Sequence, residues 1–350
     1  MKFTDFVDIK SNLSDFNPDW LISVCKRENN SKRDFIFVNR IQGKHVPARP
    51  QEILHLFENL RVTITKDSRW NRKENICVIG FAETATAISH YIVDNIPNKD
   101  CYYLQTTREK SDEPLLVEFK EEHSHATEQA LYGDLQKLKN CDRILFIDDE
   151  LSTGKTILNF IEELDKIGNF KYSVASFLNL QSEENRKIFE EKNIDTYALI
   201  RGEIKDINRK IDVEVLPDIE NLSTINNEYY HPKRDLVIGT EEDMYKGILK
   251  VASLEKSDKN KKEYYFQAST RSPICPSEAE DYVLFNRARF VSAKENNRRV
   301  YLYNLQQYDR IIVMANQSEE QIGNQFASQV YKIIRPLCNQ LFIIPYGREK

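Results

Sequence analysis

The chain has 350 residues and a formal net charge of −5, from 50 Lys plus Arg against 55 Asp plus Glu. A chain of this length can bury roughly three quarters of its unfolded surface, which suits two domains with their own cores. The acidic balance excludes a general nucleic-acid coat, which needs a basic footprint. With 10 Gly and 11 Pro, a collagen-like or low-complexity chain is excluded too.

The six cysteines, Cys25, Cys77, Cys101, Cys141, Cys275 and Cys338, include no CxxC pair. Cys77 and Cys141 adjoin apolar runs and read as buried thiols rather than ligands or disulfide partners. No apolar run approaches the length of a membrane span, and Met1-Lys2-Phe3-Thr4-Asp5-Phe6 lacks the apolar core of a signal peptide. The expected location is the cytoplasm.

Taken in chain order, Ile76-Cys77-Val78-Ile79 is expected to be a buried strand, followed by a helix over residues 83–92. Tyr102-Tyr103-Leu104-Gln105 and Arg143-Ile144-Leu145-Phe146-Ile147 are the next strands. A helix over 155–167, a strand over 172–178, a charged helix over 182–192 and a strand over 196–200 follow. Strands alternating with helices predict a parallel sheet covered on both faces. The order blurs over residues 201–231, where a domain boundary is expected, and then restarts. Leu236-Val237-Ile238 is a strand, 243–254 a helix, 256–262 a solvated charge run at a loop tip, and Tyr264-Tyr265-Phe266-Gln267 a strand. A strand over 310–314, a helix over 319–334 and the apolar run Leu341-Phe342-Ile343-Ile344 complete the pattern.

The segment richest in chemistry is Ile144-Leu145-Phe146-Ile147-Asp148-Asp149-Glu150-Leu151-Ser152-Thr153-Gly154-Lys155-Thr156. An apolar strand ends in three adjacent acids, and a hydroxyl- and glycine-bearing turn then opens a helix. Adjacent carboxylates repel and are costly to desolvate unless hydroxyl donors or a cation engage them. Amides at a helix start, with the hydroxyls of Ser152, Thr153 and Thr156, suit a phosphate dianion, and Gly154 lets the backbone approach it. Carboxylates on one side and a phosphate cradle on the other fit a sugar phosphate such as ribose 5-phosphate. A P-loop is excluded because Asp149 stands where that motif needs its first glycine. The competing plain reading is a solvated acidic turn with Ser152 as helix cap.

This segment resembles the phosphoribosyl-pyrophosphate (PRPP) motif of the type I phosphoribosyltransferases, an apolar strand, two acids and a T-G-x-T loop. More narrowly, the chain resembles the phosphoribosyltransferases found with bacterial tellurium-resistance (Ter) stress-response clusters. Gly80-Phe81-Ala82-Glu83-Thr84-Ala85, Thr106-Thr107-Arg108-Glu109 and Glu121-Glu122-His123-Ser124-His125-Ala126-Thr127 support that likeness, as does Gly43-Lys44-His45-Val46-Pro47-Ala48. Thr270-Arg271-Ser272-Pro273 matches the signature of the TRSP domain that follows this transferase.

The resemblance implies an α/β fold: a parallel-sheet type I phosphoribosyltransferase domain over residues 1–225, with an N-terminal hood over about 1–70 and a core over about 71–200. A smaller Rossmann-like TRSP domain would occupy 226–350. It implies that Asp148 and Asp149 hold the ribose hydroxyls and, less directly, Mg²⁺. Ser152, Thr153, Gly154, Lys155 and Thr156 would take the 5′-phosphate, and Ala82, Glu83, Thr84 and Ala85 the pyrophosphate. Arg108, His123 and His125 are the catalytic candidates: Arg108 as a cation for pyrophosphate, and the histidines on a closing loop over residues 110–130. Lys44 and His45 are candidate acceptor contacts, with a plain loop as the competing reading. Thr270, Arg271 and Ser272 are an anion-site candidate in the second domain.

The expected function is Mg²⁺-dependent transfer of ribose 5-phosphate from PRPP to a base-like or other small-molecule acceptor. The alternative is a catalytically silent PRPP-binding regulator or assembly subunit. The expected partners are PRPP and the acceptor, with a homodimer allowed and neither nucleic acid nor membrane expected.

Overall fold

Runs such as Ile76-Cys77-Val78-Ile79 offer no polar face to water, so they become central strands covered on both sides. In the computed structural model the strands are β1 (Val7–Asn12), β2 (Ile22–Lys26), β3 (Phe35–Asn39), β4 (Ile76–Gly80), β5 (Cys101–Thr107), β6 (Leu115–Phe119), β7 (Gln129–Tyr132) and β8 (Arg143–Leu151). They continue as β9 (Lys171–Asn179), β10 (Asp195–Ile204), β11 (Arg234–Gly239), β12 (Glu263–Ala268), β13 (Arg287–Val291), β14 (Arg299–Tyr303), β15 (Tyr308–Ala315) and β16 (Cys338–Pro345). The helices are α1 (Pro18–Leu21), α2 (Pro50–Lys66), α3 (Thr86–Asn95), α4 (Leu135–Lys139), α5 (Lys155–Leu164), α6 (Glu183–Glu191), α7 (Tyr245–Ser257) and α8 (Asn324–Ile333). The structure describes residues 1–28, 30, 33–109, 111–119, 129–219, 233–293, 298–315 and 324–346.

The chain divides into two compact units. One is Val7–Asp15 with Phe57–Lys205, and the other is Met1–Phe6, Phe16–Leu56 and Asp206–Lys350.

The first unit holds an eight-stranded sheet in the order β1-β10-β9-β8-β4-β5-β7-β6. Strands β10, β9, β8, β4 and β5 run parallel, while β1 and β7 join antiparallel. Gly80 pairs with both Gln105 and Ile147, so β4, β5 and β8 deliver their carboxyl ends to one edge. Beneath that edge Phe81, Phe119, Phe146 and Phe160 form an aromatic cluster. Phe119 stacks on Phe160 with centroids 4.2 Å apart, and Phe81 lies 5.9 Å from Phe146. These contacts fix α5 and the turn after β4 against the same strands.

Charges at the opposite end of β8 are fully partnered. Arg143 Nε donates to Glu74 at 2.7 Å and Nη1 to Asp195 at 2.9 Å, with Arg143 and Glu74 buried. Burial alone would lift the Glu74 pKa, but Arg143 and Lys171 pull it below the usual carboxylate value.

The second unit is built on a four-stranded parallel sheet in the order β12-β11-β15-β16, with the antiparallel pairs β13-β14 and β2-β3. The free edge of β12 is covered by the Gly43–Lys44–His45 segment. Ala48 and Phe266 exchange backbone hydrogen bonds of 2.9 Å, Ala268 N–H donates to Gly43 C=O, and Gln267 Nε2 donates to His45 C=O. Gly43 has φ +72°, and a Cβ there would lie 2.8 Å from the Phe266 ring. Lys44 is wholly buried, and its ammonium donates to the carbonyls of Glu241 (2.8 Å) and Ser269 (3.2 Å). Lys44 therefore pins the loops after β11 and β12, a different job from the acceptor contact considered above. Lys44→Met should cost about 1–3 kcal/mol, because charge-assisted bonds are lost and two buried carbonyls lose that donor. A lowered urea midpoint at unchanged slope is the expected reading.

Several expectations are corrected. The helix expected from residue 83 begins at Thr86, because residues 82–85 form a turn. The stretch expected as one long loop contains β6 and β7, where Leu115–Phe119 pairs antiparallel with Gln129–Tyr132; residues 120–128 lie outside the description. The helix expected over 155–167 ends at Leu164, and the one expected over 243–254 runs to Ser257, into the charge run. The helix expected over 319–334 is described from Asn324 to Ile333. Cys77 and Cys141 are buried free thiols, as expected. Among the described residues no helix is long and apolar enough to cross a membrane.

Candidate active site

Three strand ends assemble the site at one edge of the large sheet. After β4 the chain turns at once: Phe81 N–H donates to Ile147 C=O (3.0 Å), and Ala85 N–H returns to Phe81 C=O (3.1 Å). Ala82 N–H is taken by Thr106 Oγ1 of β5 at 3.0 Å. The Ala82 and Ala85 amides are thus engaged within the protein, and the Ala82–Glu83 peptide is cis. A Cβ on Gly80 would lie 2.5 Å from Ser89 Oγ, so glycine allows α3 to pack against the end of β4.

The acids continue β8 rather than leaving it in a loop, since the strand runs to Leu151. Asp149 N–H donates to Asp148 Oδ1 (2.8 Å), and Thr84 Oγ1 donates to Asp149 Oδ1 (2.8 Å). The second contact ties the turn after β4 to the acids. Burial, and then the adjacent Asp149 carboxylate, hold the Asp148 carboxyl well above the usual carboxylate range. Burial also raises Asp149, against the opposing hydrogen bonds from Asp148 and Thr84. The two ends of β8 thus carry opposite electrostatics. Glu74 is neutralised by cations, whereas Asp148 and Asp149 lie half-buried side by side. Such a pair is expensive unless donors or a cation arrive.

The turn that follows is open toward solvent. Ser152, Thr153 and Lys155 are exposed, Thr156 is half-buried and Gly154 is buried. Gly154 caps α5 with φ +75° and no side-chain cap bond, and Thr153 Oγ1 accepts from Lys155 N–H at 3.4 Å. A Cβ on Gly154 would lie 2.4 Å from Phe189 Cζ and 3.2 Å from Gln181 Nε2. Phe189, on α6, and the fully buried Gln181 therefore form the floor of this turn. Sequence reading misses both. The available signal is Gln181-Ser182, a polar pair at a strand end beside a helix cap.

The structure brings Ala82, Glu83, Thr84, Ala85, Asp148 and Asp149 together through the Thr106 and Asp149 bonds, with Ser152 to Thr156 continuing directly from β8. Arg108 follows the end of β5 and is half-buried. His123 and His125 lie outside the described residues. Thr270, Arg271 and Ser272 belong to the second unit, after β12. No group of three or more His, Cys, Asp or Glu side chains placed to hold a metal occurs among the described residues.

Comparison with known proteins divides the chain near residue 205, with residues 21–56 of the second unit falling inside the first match. A family model described as phosphoribosyl transferase matches residues 21–203, and one described as the TRSP domain C-terminal to it matches residues 207–330. No curated protein matches. Among solved structures, the chain is similar to adenine phosphoribosyltransferase from Rhodothermus marinus, at 13% identity over 52% of this chain and 94% of that one (TM-score 0.38). It is similar to the Giardia lamblia enzyme complexed with 9-deazaadenine, at 16% identity over 52% and 94% (TM-score 0.37). Orotate phosphoribosyltransferase from Aeropyrum pernix is matched at 13% identity over 51% and 87% (TM-score 0.34). On the extent of the family match, the chain belongs to the phosphoribosyltransferases, in the family that carries a C-terminal TRSP domain.

Proposed function

We propose that the chain transfers ribose 5-phosphate from PRPP to a small, base-like acceptor in the cytoplasm, in a Mg²⁺-dependent reaction. The observation that carries this reading is the half-buried Asp148–Asp149 pair, tied by Thr84 to the turn after β4 and continuous with a helix opened by Gly154 at φ +75°. Ribose hydroxyls would donate to the two carboxylates, supplying the donors that burial has removed. The amides and hydroxyls of residues 152–156 would take the 5′-phosphate at the positive end of α5.

Transfer breaks the bond from ribose C1 to pyrophosphate and forms one from C1 to the acceptor, so positive charge develops on the ring and negative charge on the leaving group. Within the turn over residues 82–85, Glu83 and Thr84 are assigned with Arg108 to the pyrophosphate, since the Ala82 and Ala85 amides are taken inside the protein. His123 and His125 are assigned to proton transfer at the acceptor, a role suited to an imidazole near neutral pH. Asp148 and Asp149 suit a hard cation, and with no third protein ligand described, oxygen atoms of PRPP would complete its shell. When bound, Mg²⁺ would supply neutralisation of the pyrophosphate charge.

PRPP with Mg²⁺ at a hundred times its Kd should add about 2.7 kcal/mol of stability. Incubation with PRPP and a panel of nucleobases and small amines should release pyrophosphate with at least one acceptor. No thermal shift with PRPP would overturn the reading. A shift without pyrophosphate release from any acceptor would instead identify a PRPP-binding regulator.

A further inference from the structure

The turn after β8 and the chain leaving β9 meet behind residues 152–154. Leu180 N–H donates to Leu151 C=O at 2.8 Å, and Gln181 follows at once. Gln181 is 0% exposed, and its side-chain amide is held in one orientation. Its backbone N–H donates to Asn179 Oδ1 at 3.1 Å, which leaves Asn179 to present Nδ2 on the other side of its own amide. That Nδ2 donates to Gln181 Oε1 at 3.3 Å. The hydrogen bonds thus settle which end of the Gln181 amide is nitrogen. Its Nε2 lies 3.2 Å from where a Gly154 Cβ would stand. It is a buried donor with no acceptor among the described residues, although buried amides nearly always find one.

The turn itself has the complementary deficit. Leu180 N–H takes Leu151 C=O and Leu158 N–H takes Gly154 C=O at 3.0 Å. Among the described residues nothing donates to Ser152 C=O or Thr153 C=O. A trans peptide carries its N–H and C=O on opposite sides. When the N–H groups of Thr153 and Gly154 face an anion outside, the carbonyls of Ser152 and Thr153 face the floor, where Phe189 offers only carbon. Glycine at position 154 leaves the Thr153–Gly154 peptide room to rotate.

Building on the transferase reading, we propose that Gln181 is a positioning residue for the 5′-phosphate: its Nε2 donates to Thr153 C=O once the phosphate draws the Thr153 and Gly154 amides outward. The bond is made inside the protein but only in the bound state, so it adds to affinity without touching the ligand. A wholly apolar floor would bury the inward carbonyl unbonded, and that cost would oppose phosphate binding.

Calorimetric titration and melting of the full chain test this, with ribose 5-phosphate and pyrophosphate as separate probes. Gln181→Met costs the free chain only the 3.3 Å bond from Asn179, so its melting should stay close to wild type. Its affinity for ribose 5-phosphate should fall about threefold to tenfold, the worth of one neutral hydrogen bond. Pyrophosphate, assigned to the turn after β4, should bind as before. Gln181→Glu keeps the acceptor for Asn179 and puts an oxygen in place of the donor, so it should lose at least as much affinity for ribose 5-phosphate. The Gln181 side-chain amide protons, identified in the NMR spectrum by their absence from Gln181→Met, should move downfield with ribose 5-phosphate and stay in place with pyrophosphate. Undiminished ribose 5-phosphate affinity in both variants, or an unmoved amide signal at saturation, would overturn the role of Gln181 and leave the transferase reading intact. Equal losses for both probes would point to general loosening and would overturn it too. Wild type that binds neither ribose 5-phosphate nor PRPP would instead remove the transferase reading, and the role of Gln181 with it.

Discussion

Asp148→Asn should raise the melting temperature of the free chain at pH 7 while removing most of its response to PRPP. Asp148 has its pKa raised in the folded state, first by burial and then by Asp149. A group shifted upward contributes its full stability below its unfolded pKa and loses it as pH rises through the folded value. At neutral pH the folded chain therefore bears the cost of a desolvated carboxylate. Asparagine is neutral at every pH, its oxygen can still accept from Asp149 N–H, and its amide can donate to the neighbouring carboxylate. Relief of 1 kcal/mol would appear as about 2–4 °C for a unit of this size. The gain over wild type should shrink as pH falls through the raised folded value toward about 4, where the unfolded wild-type carboxyl is neutral as well. Binding should move the other way. A charged acceptor for a ribose hydroxyl is worth roughly 1.5–3 kcal/mol, so PRPP affinity should fall about tenfold to a hundredfold. Thermal scans from pH 4 to 8, with and without PRPP, read both effects. A variant that melts lower than wild type at pH 7, or keeps the full PRPP shift, would contradict the assignment.

On the proposed reading, stability and function are opposed at Asp148 because the candidate site lies where two carboxylates stand side by side. Arg143 and Glu74, at the other end of β8, show what the same strand does when nothing has to bind: each charge is matched inside the protein. This contrast is only partly written in the sequence. The run Ile144 to Thr156 announces strand, acids, turn and helix in consecutive residues, so the fold class and the central segment of the candidate site were legible there. Periodicity also located β4, β5, β9, β11 and β12 to within a few residues.

What local pattern could not supply were contacts between distant segments. Thr84 reaches Asp149 across 65 residues, and Thr106 takes the Ala82 amide from the next strand. The segment from Gly43 to Ala48 has no strand or helix period of its own. Its position is set by the free edge of β12, with Gln267 binding His45 C=O across 222 residues. Strands β6 and β7 were hidden for a similar reason. The one short apolar patch, Leu115-Leu116-Val117, sits in a charged stretch, and pairing rather than composition makes it part of the sheet.

Gly154→Ala should be the most damaging single-methyl change at the site. The new Cβ would lie 2.4 and 2.5 Å from Phe189 Cζ and Cε2, distances that real contacts do not reach. The backbone at φ +75° adds about 1–2 kcal/mol for any residue other than glycine, and forcing a methyl into a packed core costs about 1–3 kcal/mol more. The expected loss is thus about 2–5 kcal/mol, shared between a lower melting point and a displaced turn that, on the proposed reading, no longer takes the 5′-phosphate. These two contributions can be separated. Phe189→Leu removes the ring atoms that the methyl would strike but leaves the φ cost untouched. In the cycle formed by Gly154→Ala, Phe189→Leu and the double variant, the steric part should cancel, giving a favourable coupling of about 1–2 kcal/mol. PRPP-dependent stabilisation should return in part in the double variant. Strict additivity of the two changes, with no recovery of the PRPP response, would mean that Phe189 does not support the turn and that Gly154 is required for its backbone angle alone.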